Sequence, residues 1–336
     1  MGWKSIVVAV CLGTLLGCND RNPPAGRQHT DTLSTHLDTR PPQHVVINEA
    51  FEHLLYIGLY VASDAGFFAR EGLDVTINTG GGDAQAFSAL SSGAADFAQG
   101  DPAFVAIAHE RGWDGRVVAM AVNRVAIWGI TKDSTIKPFT DPRGFRGRRV
   151  STYPRPNTSF VVQEALVRRA GLRIGQDTRI VEVPFGTEIA ALERGDVDIA
   201  QTIEPNVTQF EVKGGHVVFS YPDAWGPLAF TGVMVSERTI RERPDMVRRF
   251  VHAYSAAYGF LREHPDSATV IAASHLKSLD HATIRRALQR LIDSQSLPPS
   301  VEVDSASWRK LLEARVQVGD LRRMPNVPLY DNQFIR

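Results

Sequence analysis

Cysteine is nearly absent, with two in 336 residues, so no disulfide framework holds this chain and an apolar core must do so. Charge of one sign is not in excess either. Lysine plus arginine and aspartate plus glutamate number 37 each, which leaves no global field to steer the chain onto nucleic acid or an anionic membrane surface. The catalytic signatures His-Glu-x-x-His, Gly-x-Ser-x-Gly, Cys-x-x-Cys and Gly-x-Gly-x-x-Gly are all missing. The ten histidines are scattered, and the spacing of His29, His36 and His44 fits no metal-ligand pattern, so no metal and no cofactor are expected. What is there, 43% hydrophobic and 22% charged residues, is the composition of an ordinary globular protein.

The start of the chain speaks to compartment. Lys4 supplies a short positive region and Ile6 to Leu16 an apolar one, about half the ~20 residues a membrane-spanning helix requires. It ends in Leu15-Leu16-Gly17-Cys18, which resembles the bacterial lipobox. The expectation is a lipoprotein signal peptide over 1–18, acylation of Cys18, and anchoring at the extracytoplasmic or periplasmic face of a membrane. Cys11 lies in the removed segment, which leaves no disulfide. Residues 19–43 are polar and without helical or strand period, and are expected to form a flexible tether.

Beyond the tether the chain repeats itself. Ala89-Leu90-x-x-Gly93-x-x-Asp96-x-Ala98-Gln99 and Ala191-Leu192-x-x-Gly195-x-x-Asp198-x-Ala200-Gln201 lie 102 positions apart, and each is followed by an acid-proline pair, Asp101-Pro102 and Glu204-Pro205. That period exceeds the roughly 20–50 residues of a solenoid unit. It points to two similar lobes with function between them.

The local pattern alternates strand and helix. Apolar strands at His44–Asn48, Leu73–Ile77, Ala95–Ala98 and Arg116–Ala121 are separated by helices that begin near Leu59, at Asp83, suited to cap its helix, and at Asp101-Pro102; Gly93 suits a left-handed helix end. The same grammar restarts at Arg149, with Asn157-Thr158-Ser159 and Gly186-Thr187 opening helices, and Gly215–Ser220 as that lobe's last strand. Helices are expected at about 244–263, 281–294 and 304–318. Such alternation implies α/β lobes with parallel sheets and ligands at the carboxyl ends of the strands. Lobe one is assigned 44–126 and 228–336, lobe two 127–227, with crossings near Val125–Ile130 and Pro227–Thr231 forming a two-strand hinge.

The run Gly58-Leu59-Tyr60-Val61-Ala62-x-x-x-Gly66-Phe67-Phe68-x-x-Glu71-Gly72-Leu73-Asp74-Val75 resembles the opening of the nitrate/sulfonate/taurine and thiamine-pyrimidine-precursor (NMT1-like) binding proteins of ABC importers. The repeated segment and Glu204-Pro205 are similar too, so the likeness runs from about Val45 to Met234. It implies a type II periplasmic binding protein, with two doubly wound α/β sheets joined by a two-strand hinge, that acts as a monomer, encloses a small-molecule solute and delivers it to a permease and its ATPase.

The loops then assigned to the cleft include the helix starts at Gly82-Asp83, Asp101, Asn157-Thr158 and Thr187-Glu188, which present unpaired N–H groups and positive dipole ends to a polar ligand. Their side chains add the acids Glu49, Glu52, Glu188 and Glu204 against few cations, chiefly Arg124 and Arg155. The aromatics Phe51, Tyr56, Trp128, Tyr153, Phe185 and Trp225 suit stacking on a planar nitrogenous ring whose N–H groups the acids accept. A sensor or co-receptor would use the same closed conformation. An enzyme like the pyrimidine-precursor synthases would need a cysteine-rich motif that is missing here.

Overall fold

A computed structural model describes residues 41–335. The signal segment 1–18 with Cys18, and the tether up to residue 40, lie outside the described residues.

The first lobe is built from β1 (Gln43–Glu49), helices α1 (Ile57–Asp64) and α2 (Phe67–Arg70), β2 (Leu73–Thr79), α3 (Asp83–Ser92), β3 (Phe97–Gly100), α4 (Ala103–His109) and β4 (Gly115–Arg124). The chain then crosses and builds β5 (Trp128–Thr131), β6 (Arg149–Thr152), α5 (Thr158–Arg169), β7 (Arg179–Glu182), α6 (Glu188–Glu193), β8 (Ala200–Thr202), α7 (Asn206–Val212), β9 (His216–Ser220) and α8 (Tyr221–Trp225). It returns through β10 (Pro227–Ser236) and ends in α9 (Glu237–Glu242), α10 (Pro244–Glu263), α11 (Pro265–His275), α12 (His281–Asp293) and α13 (Ser305–Val318).

Two sheets of matching order result. The first runs β2-β1-β3-β10-β4, with β10 antiparallel to its neighbours. In the second, β7 pairs β6, a parallel bridge of Val150 with Ile199 joins β6 to the start of β8, and β5 lies antiparallel between β8 and β9. Each sheet therefore receives one antiparallel strand from the crossing that enters it, and Gln99 and Gln201 lie buried in separate sheets.

The repeated residues hold these sheets in the same way twice. Asp96 accepts from the Val46 N–H on β1 at 2.9 Å while its own N–H donates to the Val46 carbonyl at 2.8 Å. Asp198 does the same with Arg149 on β6, at 2.7 and 2.8 Å. Gly93 and Gly195 end their helices at φ +81° and +76°, a left-handed conformation in which a Cβ is strained. The repeat is thus structural.

Helix α10 explains part of the opening motif. Its buried face, Met246, Phe250, Tyr254, Ala257, Tyr258 and Leu261 at helical spacing, lies on α1 and α2. The Tyr258 ring packs so closely on Gly58 that a Cβ there would sit 2.1 Å from it. Two tyrosine hydroxyls of this helix satisfy core acceptors, Tyr254 on Gln99 and Tyr258 on the Ala121 carbonyl.

Two expectations need correction, and one helix comes in addition to those expected. The third strand is Phe97–Gly100, because the Ala95 N–H turns back to the Ala89 carbonyl at the helix end. Asp83 does not cap α3: Gly82 occupies the cap position without a side chain to bond, and the Asp83 carboxylate points to Asp101 and Asn157 instead. Helix α11 went unforeseen, since Pro265 and a weakly amphipathic stretch give little period, and its packing on α1 and α12 supplies the stability. The C-terminal helices also reach both lobes, with α12 on α7 and α13 on β10 and α5.

Candidate functional site

The carboxyl ends of the central strands face one another across a seam between the sheets. A small cavity remains there. Lobe one contributes Phe51, Leu55, Tyr56, Asp83 and Asp101, lobe two Tyr153, Asn157, Thr158, Phe185 and Ile203, and the returning strand Phe230 and Thr231. Only a small part of that space is wide enough for water molecules. The seam is shut on itself.

Aromatic and polar contacts close it. The Phe51 and Phe185 rings stack across the seam with centroids 3.8 Å apart, and Tyr153 lies 5.0 Å from Phe185. Asn157 caps α5 by accepting from the Ser159 N–H through Oδ1, and donates through Nδ2 to Asp83 Oδ2 at 2.8 Å. The Asp83 Oδ1 accepts from the Asp101 N–H at 2.8 Å.

Asp101 is more heavily engaged. One oxygen accepts from the Ala103 N–H, and the other from the Thr158 N–H at 3.0 Å, the Thr158 hydroxyl at 2.6 Å and Arg315 Nη2 at 2.5 Å. Arg315, fully buried on α13, also donates to the Thr158 hydroxyl, to Asp320 and to the Pro156 carbonyl. Its charge is therefore shared between two carboxylates.

Asp83 has no such partner. Burial, reinforced by the neighbouring charge of Asp101, pushes its carboxyl up to about 6. Behind the cavity wall, Glu49 accepts from the Tyr60 and Thr79 hydroxyls, yet burial still raises it to about 7. Burial lowers the nearby His53 to about 3, so its ring is neutral near pH 7. The described seam carries more carboxylates than cations.

The remaining sequence-nominated residues fall elsewhere. Glu188 is fully buried behind Tyr153, where its Oε1 accepts from Tyr153, Thr202 and Asn206 while Oε2 has no partner. Glu204 accepts from the N–H and hydroxyl of Thr208 and lies 2.6 Å from Arg290 of α12. Trp128 sits under Arg290 beside α12, Trp225 under Arg169, and Glu52 is exposed near His275. Gly82 precedes the cavity wall as the cap of α3 and does not line it. Arg124 pairs with Gln295 and Arg155 with Glu182, both away from the cavity.

Sequence reasoning missed Arg315, Phe230 and Thr231. A signal for the arginine existed: Trp308, Leu311, Leu312 and Arg315 share one helical face, and a charge on a buried face requires a buried partner.

Comparisons with known proteins agree with this geometry. A family model described as NMT1/THI5 like matches residues 54–268. The riboflavin-binding protein RibY of Chloroflexus aurantiacus is 26% identical over 264 residues, covering 77% of this chain and 71% of RibY. The periplasmic aliphatic sulphonate binding protein SsuA of Escherichia coli superposes with a TM-score of 0.69 at 15% identity, covering 87% of this chain and 95% of SsuA. The desulfurization enzyme DSZB does so at 0.61 and 15%, covering 87% of this chain and 97% of its own. These structural likenesses establish the two-lobed type II periplasmic binding protein fold.

Proposed function

The chain belongs to the NMT1/THI5-like family, and from that premise we propose that it is the extracytoplasmic solute-binding component of an ABC importer. It encloses a small organic solute between its lobes and delivers it to a permease, tethered to the membrane by lipidated Cys18. The observation that carries this reading is the seam itself, where aromatic rings and helix starts of both lobes converge on one cavity. Such a site exists as a unit only when the lobes meet, so a solute that touches both stabilises the closed form over the open one.

A planar nitrogenous solute suits the walls better than a small inorganic anion. Two stacked phenylalanines match a flat ring, and Asp83 and Asp101 outnumber the single Arg315, which Asp101 and Asp320 already occupy. RibY, named for riboflavin, shows that a flat ring system is held by a relative; SsuA is named for aliphatic sulphonates. The lining holds no Lys, His, Cys or Ser among the described residues, and its Thr158 hydroxyl is committed between Asp101 and Arg315, which supports binding over catalysis despite the fold shared with DSZB.

Thermal unfolding against riboflavin, aminopyrimidines, alkanesulfonates and nitrate tests this. A cognate solute at 100 times its Kd adds about 2.7 kcal/mol of apparent stability, which raises the melting temperature by roughly 4 °C for a chain of this size. No shift from any solute, with nothing bound to the purified protein by mass spectrometry, would overturn the proposal.

A further inference from the structure

We infer that Asp83 is the specificity-determining carboxylate of the seam and Asn157 its resident placeholder, so that the site selects a planar solute bearing N–H donors and rejects a planar anion; this rests on the solute-binding reading above. Two carboxylates reach the cavity wall, and they are not equivalent. Asp101 is spent in the closed form, because its oxygens already take two N–H groups, a hydroxyl and the Arg315 guanidinium, the two Thr158 donors among them coming from across the seam. Asp83 takes only two neutral donors, the Asp101 N–H of its own lobe and the Asn157 carboxamide of the other.

That second bond is the one opening breaks. Asn157 moves with α5, to which its Oδ1 is committed as a cap, whereas Asp83 stays with α3. Parting the lobes therefore frees Asp83 Oδ2 and, in the same motion, separates Phe51 from Phe185. A flat ring entering between the two phenylalanines brings its edge into the cavity that Asp83 also lines. An N–H donor on that edge replaces the Asn157 bond, and a positively charged donor adds direct Coulombic attraction to the carboxylate. A sulfonate in the same place meets two carboxylates and finds no uncommitted N–H on Arg315 Nη1 or Nη2; the Arg315 Nε–H, which has no partner, is buried and Arg315 does not line the cavity.

Isothermal titration of the full chain with benzamidine and 4-aminopyrimidine, against benzenesulfonate as an anion of similar ring size, tests the inference. The expected result is that benzamidine binds at least tenfold more tightly than benzenesulfonate, and that Asp83→Asn loses at least tenfold for benzamidine while the two probes converge. Asn157→Ser keeps a capping oxygen but removes the competing amide, and should tighten benzamidine binding about threefold or more. That variant and the wild-type ranking decide the matter even if Asp83→Asn does not fold. Tighter binding of benzenesulfonate to the wild type, or unchanged benzamidine affinity in a folded Asp83→Asn, overturns the inference while solute binding stands. Silence from these probes together with every solute of the thermal panel overturns both.

Discussion

Asp101 and Glu204 stand at matching points of the two lobes, just beyond the strand that follows each repeated helix, and each meets an arginine from the C-terminal helices. Their surroundings differ. Asp101 faces the seam and bonds across it to Thr158, with Arg315 wholly buried beside it. Glu204 turns back onto Thr208 of its own lobe, and its Arg290 remains about a quarter exposed. The duplication is kept where it builds sheets, as at Asp96 and Asp198, and has diverged at the strand ends where a guest would sit. One acid serves the interface and the other secures α12 to lobe two.

The sharpest way to break that contrast is to remove each arginine in turn. Arg315→Met strands Asp101 in the seam with no cation, and breaking such a buried pair costs about 3–5 kcal/mol. Arg290→Met leaves the buried Glu204 its two Thr208 donors and removes a cation that is already a quarter exposed and shared with Glu211, so the expected loss is smaller, about 1–3 kcal/mol. Urea unfolding of both variants measures the difference. Equal losses would mean that the two acid-proline steps play the same role after all.

Lobe one also responds to pH through its buried carboxyls. Glu49, at the end of β1, has its carboxyl raised by burial from 4.5 to about 7. The folded chain then holds a proton that the unfolded chain has lost, so the associated stability is complete below pH 4.5 and disappears as pH rises through 7. A shift of that size corresponds to about 3 kcal/mol, and Asp83, raised to about 6, acts in the same direction. Glu49→Gln keeps the shape without the charge. Its melting temperature should fall less between pH 5 and 7.5 than that of the wild type; parallel curves would show that Glu49 does not titrate in this range.

Local signals carried most of the fold and part of the site. Helix starts after strand ends, such as Asp83, Asp101 and Asn157-Thr158, are short-range features, and the structure gathers them around one cavity with Phe51, Tyr56 and Tyr153. Which way a large side chain points is not short-range. Trp128 begins a strand of the second sheet and lies against α12, and Trp225 is covered by Arg169, so both meet partners far away in sequence. Arg315 is the extreme case. It reaches Asp101 across 214 positions, from beyond the stretch that carries the resemblance, and of its partners only Asp320 lies near it in sequence.

The smallest effect tests the duplication where it has been kept. Gly93 and Gly195 close equivalent helices, and each donates its N–H to the leucine three residues earlier at 3.0 Å. An alanine at either site must take up a positive φ, which costs about 1–2 kcal/mol. At Gly195 the new methyl group meets nothing within 4 Å, whereas at Gly93 it comes within 2.9 Å of the flexible end of Arg238, which swings aside. The two losses should therefore agree to within about 0.5 kcal/mol, and because the helices they close pack on separate sheets the double variant should lose their sum. A loss at Gly195 much smaller than at Gly93 would mean that lobe two relaxes where lobe one does not, and would locate in lobe two the conformational freedom that opening the seam requires.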